Sequence, residues 1–120
     1  MNMTLVKKLP SAEELIQAFP LYEKGHEQVA RDRQEVKDIL SGKDSRLLMI
    51  VGPCSAWPYD GVVEYAERLA RLNKKVRDRL KLVMRVYIQK PRTTKGWTGP
   101  VNQPDTCTPP DIAEGAKYCR

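Results

Sequence analysis

Leu47-Leu48-Met49-Ile50-Val51-Gly52-Pro53-Cys54-Ser55 is the stretch that decides the fold. Five consecutive apolar residues closed by Gly52-Pro53 read as a strand of a parallel sheet, apolar throughout because such strands are covered on both faces. About thirty residues later, the room a covering helix needs, a second apolar run from Leu82 to Ile88 leads into Gln89-Lys90-Pro91-Arg92-Thr93-Thr94-Lys95-Gly96-Trp97. Parallel strands joined through a helix finish on the same edge of the sheet, where α/β proteins build their sites. A thiol at Cys54 and a cluster of cations are therefore expected on one rim.

Between the two runs, Asp60 is placed to cap a long helix whose buried stripe is expected from Val62, Ala66, Leu69, Val76 and Leu80. Arg68, Arg71, Lys74, Lys75, Arg77, Arg79 and Lys81, interleaved with Glu67 and Asp78, read as its solvated face. In the second strand Leu82, Met84, Val86 and Ile88 share one face, and Val83, Arg85 and Tyr87 the other. That alternation points Arg85 into the interior, where a guanidinium is costly unless paired, so an anionic group is expected to meet it.

Upstream, Ser11-Ala12-Glu13-Glu14 forms a capping box for a short helix through Leu15, Ile16 and Phe19 that Pro20 stops. A second helix is expected from Glu23 to Ser41, with Val29, Val36, Ile39 and Leu40 at helical spacing and Gly42 ending it. Residues 1–45 read as an N-terminal helical arm and residues 46–120 as the first βαβ portion of a barrel domain. Thr98 to Pro110, rich in proline and glycine, reads as a long loop, ordered or flexible. After it Asp111 can cap a closing helix, with Glu114 at the capping-box position.

A closed barrel of such units takes about 250 residues, against 120 in this chain. The expectation is the front part of a (β/α)8 TIM barrel with an N-terminal helical extension, truncated after the second strand. Twenty-one Lys and Arg against fifteen Asp and Glu give a net charge of +6. Basic residues interleaved with acids, without aromatic partners for stacking, argue against nucleic acid and for phosphorylated small molecules. No apolar span approaches membrane length, so no membrane partner is expected. Three cysteines with no CxxC pair suit the reducing cytoplasm.

A thiol beside cations favours its thiolate, which binds divalent metals or acts as a nucleophile; a structural cysteine after a turn is the plain alternative for Cys54. Lys90, Arg92 and Lys95 with Thr93 and Thr94 between them combine forked guanidinium, point-charge ammonium and hydroxyl donors in a phosphate-binding pattern, and a surface charge cluster is its plain alternative. The single histidine, His26, reads as a solvated side chain on a polar helix.

Gly52-Pro53-Cys54-Ser55, Met84-Arg85-Val86-Tyr87 and Lys90-Pro91-Arg92-Thr93-Thr94 with Gly96-Trp97 together resemble the amino-terminal part of the type I 3-deoxy-D-arabino-heptulosonate 7-phosphate (DAHP) synthases. The resemblance implies condensation of phosphoenolpyruvate with erythrose 4-phosphate in the first step of the shikimate pathway, on a (β/α)8 barrel, with a divalent metal of the Mn, Fe or Co type and a homo-oligomeric complete enzyme. It implies that Cys54 is a metal ligand, that Arg85 contacts phosphoenolpyruvate, and that Lys90 lies between the substrates as the catalytic residue. Arg92 and Thr93 would hold erythrose 4-phosphate, and Pro91 belongs with them to the substrate-binding set. The resemblance also places the other metal ligands on later strands, so this stretch alone is not expected to hold the metal. The alternative is a catalytically inactive fragment that associates with a full-length synthase.

Overall fold

A computed structural model describes residues 5–120; the first four residues of the expected arm lie outside the described residues. Along the chain run α1 (Ala12–Ala18), α2 (Glu23–Leu40), β1 (Leu47–Val51), α3 (Tyr59–Val76), β2 (Leu80–Met84) and α4 (Ile112–Cys119). They fall into two compact units. Leu21–Tyr87 carries α2, β1, α3 and β2, and the stretch up to Pro20 together with Ile88–Arg120 carries α1 and α4.

In the first unit β1 and β2 pair in parallel, from Leu47 opposite Leu80 to Val51 opposite Met84, with α3 as the crossover. The chain is thus an α/β structure with two parallel strands. The second strand begins and ends earlier than the apolar run suggested. Arg79 turns out of the helix end by donating its N–H to Val76, and its carbonyl then accepts the Leu47 N–H at 3.0 Å, which draws Leu80 into the ladder instead of the helical stripe. At the other end, Pro53 has no N–H to offer, and the ladder stops after Arg85 donates to the Val51 carbonyl at 2.7 Å.

The half-buried face of α3 is Val62, Tyr65, Leu69, Asn73 and Val76, and Ala66 is exposed beside it. Asp60 lies inside the first turn, where its charge suits the helix dipole, and Pro58, joined to Trp57 by a cis peptide, stands at the N-cap. Cover on both faces of β1 is not what the described residues provide: Leu47 and Ile50 are each 63% exposed.

Lys81 departs most from the sequence reading. It lies on β2, not on a solvated helix face, and is 9% exposed. Asp32 and Glu35, one helical turn apart on α2, both reach its ammonium, Glu35 at 3.0 Å. Arg46, just before β1, bridges Glu35 at 2.7 Å and Asp44 at 2.6 Å and donates to the Arg77 carbonyl. Two cations and three carboxylates therefore close the amino-terminal end of the sheet against α2. Burial pushes the Lys81 ammonium down, but the hydrogen bonds to Asp32 and Glu35 outweigh it and hold the group above its ordinary value. Burial likewise pushes Asp32 up, and hydrogen bonds from Lys81 and Gln28 bring it below its usual range. Glu35 is held low by Arg46 and then by Lys81.

In the second unit the capping box forms as expected: Ser11 accepts the Glu14 N–H and Glu14 accepts the Ser11 N–H at 2.7 Å. Asp111 caps α4 by accepting the N–H groups of Ala113 and Glu114, and its other oxygen takes a 2.7 Å hydrogen bond from Lys7. Glu114 pairs with Lys117 at 2.8 Å, one turn along the helix, in place of the expected capping box. The long loop is ordered by its own hydrogen bonds. Asn102 and Gln103 donate to the Gly99 carbonyl, Trp97 Nε1 donates to the Gln103 carbonyl at 2.9 Å, and Pro100 is fully buried. A Cβ on Gly115 would lie 1.9 Å from the Val101 carbonyl oxygen, so α4 rests directly on loop backbone.

Candidate functional site

The level ends of the two strands, Val51 and Met84, send Gly52-Pro53-Cys54 and Arg85 off the same edge. Cys54 is exposed and forms no disulfide. Because the strand ends at Met84, alternation no longer sets the direction of Arg85, and the side chain is exposed instead of interior. It meets carbonyls, not an anion. Its Nη2 donates to the Pro53 oxygen at 3.0 Å and the Gly52 oxygen at 3.3 Å, and its guanidinium lies 5.9 Å from the Tyr87 ring centroid. Among the described residues no carboxylate pairs with it, so a planar, always-charged fork stands at the rim with only dipoles for company. Gly52 is required by this closeness: a Cβ there would sit 2.2 Å from the Arg85 carbonyl oxygen.

In the second unit the Lys90 N–H donates to the Thr98 carbonyl at 2.7 Å, and Arg92 Nε donates to the Trp97 carbonyl at 3.1 Å. These bonds close 90–98 into a loop that leaves Pro91, Arg92, Thr93, Thr94 and Lys95 exposed, with Lys90 half-buried. Gly96, at φ 149°, makes the turn under Arg92. Hydroxyls and cations on one stiff exposed loop can take a phosphate through charge-assisted hydrogen bonds. The structure thus brings Cys54 and Arg85 together in the first unit and Lys90, Pro91, Arg92 and Thr93 together in the second.

The metal expectation rests here on a single sulfur. Among the described residues no three His, Cys, Asp or Glu side chains gather where an ion could sit. A catalytic metal takes about three protein ligands, so the donor set of this stretch does not by itself fit one. Cys119 offers no help, since burial pushes its thiol up.

Sequence reasoning missed what holds the Cys54 loop. Besides Arg85, the Tyr87 carbonyl accepts the Ala56 N–H at 2.9 Å, and Ala56 is buried. The only signal was indirect, a glycine and a proline directly after an apolar strand.

The fold is that of a parallel α/β chain, with a thiol and a guanidinium that meets no carboxylate among the described residues at one strand edge, and a basic, hydroxyl-bearing loop next in sequence. The chain belongs to the DAHP synthetase I family, whose pattern matches residues 21–118. It is 46% identical over 113 residues to the phospho-2-dehydro-3-deoxyheptonate aldolase of Corynebacterium glutamicum, covering 94% of this chain and 31% of that protein. To the phenylalanine-inhibited phospho-2-dehydro-3-deoxyheptonate aldolase of Saccharomyces cerevisiae it is 42% identical over 102 residues, covering 85% of this chain and 28% of that protein. The solved phospho-2-dehydro-3-deoxyheptonate aldolase of Francisella tularensis SCHU S4 superposes with a TM-score of 0.92 at 39% identity, covering 99% of this chain and 35% of that one. The chain spans about a third of the length of the curated relatives it matches. Among the described residues no helix is long and apolar enough to cross a membrane.

Proposed function

We propose that this chain supplies the front of a (β/α)8 barrel that condenses phosphoenolpyruvate with erythrose 4-phosphate, the opening step of the shikimate pathway, in a homo-oligomer, with residues 1–45 as a helical arm and 46–120 as the first βαβ portion. The observation that carries the reading is the guanidinium of Arg85 at the strand edge, exposed, beside the Cys54 loop, and met among the described residues by carbonyls and the Tyr87 ring but by no carboxylate.

Both substrates are anions, and bringing them together in one mouth requires fixed cations that do not reorganise as the bond forms. Arg85 takes phosphoenolpyruvate, its forked donors matching a carboxylate or phosphate edge. Arg92 and Thr93 hold the phosphate of erythrose 4-phosphate on a loop stiffened by Pro91 and by the 3.1 Å bond from Arg92 to the Trp97 carbonyl. Lys90 supplies an ammonium that offsets the negative charge both substrates carry to the reacting atoms. Two reactants held in a fixed relation gain much of the rate from orientation alone. Cys54 would give one sulfur to a divalent metal of the Mn, Fe or Co type, alongside donors from outside this stretch.

The test is a chimera in which residues 21–118 replace the matching segment of the Francisella relative. Phosphoenolpyruvate consumption in the presence of erythrose 4-phosphate and Mn2+ is expected, and Arg85→Gln or Arg92→Ala should lower it by orders of magnitude. A folded, inactive chimera, or one indifferent to both substitutions, overturns the reading. A second reading, a non-catalytic chain that associates with a full-length synthase, draws support from the 63% exposure of both Leu47 and Ile50. It expects co-elution with such a synthase in size-exclusion chromatography, and separate elution removes it.

A further inference from the structure

We infer that Arg85 is a positioning residue for the Cys54 loop as well as an anion contact, and that filling it with an oxyanion changes how the sulfur is presented. The inference rests on the anion-binding reading of Arg85 given above and extends it to the loop opposite.

At three of the points where the stretch from Val51 to Ala56 is held, the bonds run to residues 85–87. The Val51 carbonyl accepts the Arg85 N–H at 2.7 Å, the Gly52 and Pro53 carbonyls accept from Arg85 Nη2, and the Ala56 N–H donates to the Tyr87 carbonyl at 2.9 Å. Cys54 is the exposed residue between the second and third fastenings. Backbone bonds make the first and third, so they are insensitive to side-chain identity. The middle one depends on a single side-chain nitrogen.

A guanidinium offers two forked edges to a carboxylate or phosphate, Nη1 with Nη2 and Nε with Nη2. Nη2 belongs to both. Nη2 carries one hydrogen on each edge, so a bidentate oxyanion takes one of them and leaves the Gly52 and Pro53 carbonyls to share the other, and the longer of their bonds, already 3.3 Å, weakens. The cation–π contact with Tyr87 keeps the guanidinium plane near the rim through the exchange. Anion uptake and the geometry of the Cys54 loop are thereby linked through one group.

The experiment is amide hydrogen exchange on the full chain, read at residues 52–56 with α3 as internal control. Arg85→Gln is expected to speed exchange there by about tenfold, the worth of one net hydrogen bond, and to leave α3 unchanged. Arg85→Lys, which keeps the charge and one donor direction but not the fork, should restore part of the protection; it also stands in should the Gln variant lose its fold. Inorganic phosphate should alter exchange at 52–56 in the wild type and not in Arg85→Gln. Unchanged exchange in both variants overturns the positioning role. Titration calorimetry separates the remaining outcomes: phosphate that binds without touching 52–56 exchange overturns the link and leaves Arg85 standing as an anion contact, whereas absence of phosphate uptake removes the anion reading itself.

Discussion

The two ends of the β1–β2 pair hold cations in opposite ways. At the amino-terminal end Lys81 and Arg46 are enclosed by Asp32, Glu35 and Asp44, each positive charge matched by carboxylates. At the carboxyl-terminal end Arg85 is exposed and meets the Gly52 and Pro53 carbonyls and the face of Tyr87, with no carboxylate paired to it among the described residues. A cation already matched by acids has little left to offer a ligand, and removing its partners strands a buried charge. A cation held by dipoles keeps its net charge available and can exchange those dipoles for an oxyanion. The first arrangement fastens a helix to a sheet; the second leaves a positive charge open at the rim. Charge at the two ends of one sheet is thus sorted by its counter-ions.

The comparison is broken most severely through Gly52. A Cβ there would lie 2.2 Å from the Arg85 backbone oxygen, which has no flexible side chain to yield. Gly52→Ala should therefore part the strand ends, costing about 3 kcal/mol, the upper range of overpacking, and abolishing the Arg85 contacts as well; urea denaturation followed by circular dichroism measures it. At the other end, Asp32→Asn with Glu35→Gln leaves Lys81, 9% exposed, with neither of its carboxylates. A loss of about 1–3 kcal/mol is expected, less than for a fully buried pair because both acids are partly hydrated. Lys81→Met is the informative contrast. It removes the shielded charge and leaves two carboxylates that water and Arg46 can serve, so it should cost under about 1 kcal/mol. Equal losses for the two variants would show that the cluster works by packing and not by charge.

Titration sharpens the same point. Asp32 and Glu35 have folded values below their ordinary ones, so their contribution is complete above the ordinary carboxylate range and fades as pH falls through the depressed values. Lys81 is raised, so its contribution is present below its ordinary 10.5 and fades as pH climbs through the higher folded value. Thermal melting should accordingly show a plateau between these limits, and Lys81→Met should flatten both flanks. A melting profile unchanged in the variant would remove the cluster as their source.

The fold was legible where one local signal sufficed. Leu47–Val51, the Ser11 capping box and the Asp111 cap all rest on short patterns, and all three form. The β2 boundaries were not legible, because Leu80 fits the helical stripe by spacing and joins the sheet only through the bond between Leu47 and Arg79. Lys81 was misread for a related reason. In a run of basic residues, only the acids forty-six and forty-nine positions upstream distinguish a strand lysine from a solvated one, and no local pattern carries that distance. Cys54 and Arg85 could be placed on one edge from strand spacing alone, but the carbonyls that Arg85 reads depend on where the ladder stops.

The smallest effect on stability is expected where the effect on binding is large. Arg92 is exposed, and its hydrogen bond to the Trp97 carbonyl sits on a loop already closed by the bond from the Lys90 N–H to Thr98. Arg92→Ala should therefore leave stability within about 0.5 kcal/mol, as surface substitutions do. A charge-assisted bond to a phosphate is worth about 1.5–3 kcal/mol, so inorganic phosphate should bind roughly tenfold or more weakly in calorimetric titration. Lys81→Met, which removes a cation of equal charge from the clasped end, should leave phosphate affinity unchanged. If both variants weakened phosphate equally, net charge alone would account for the binding, and the distinction between matched and open cations would fail.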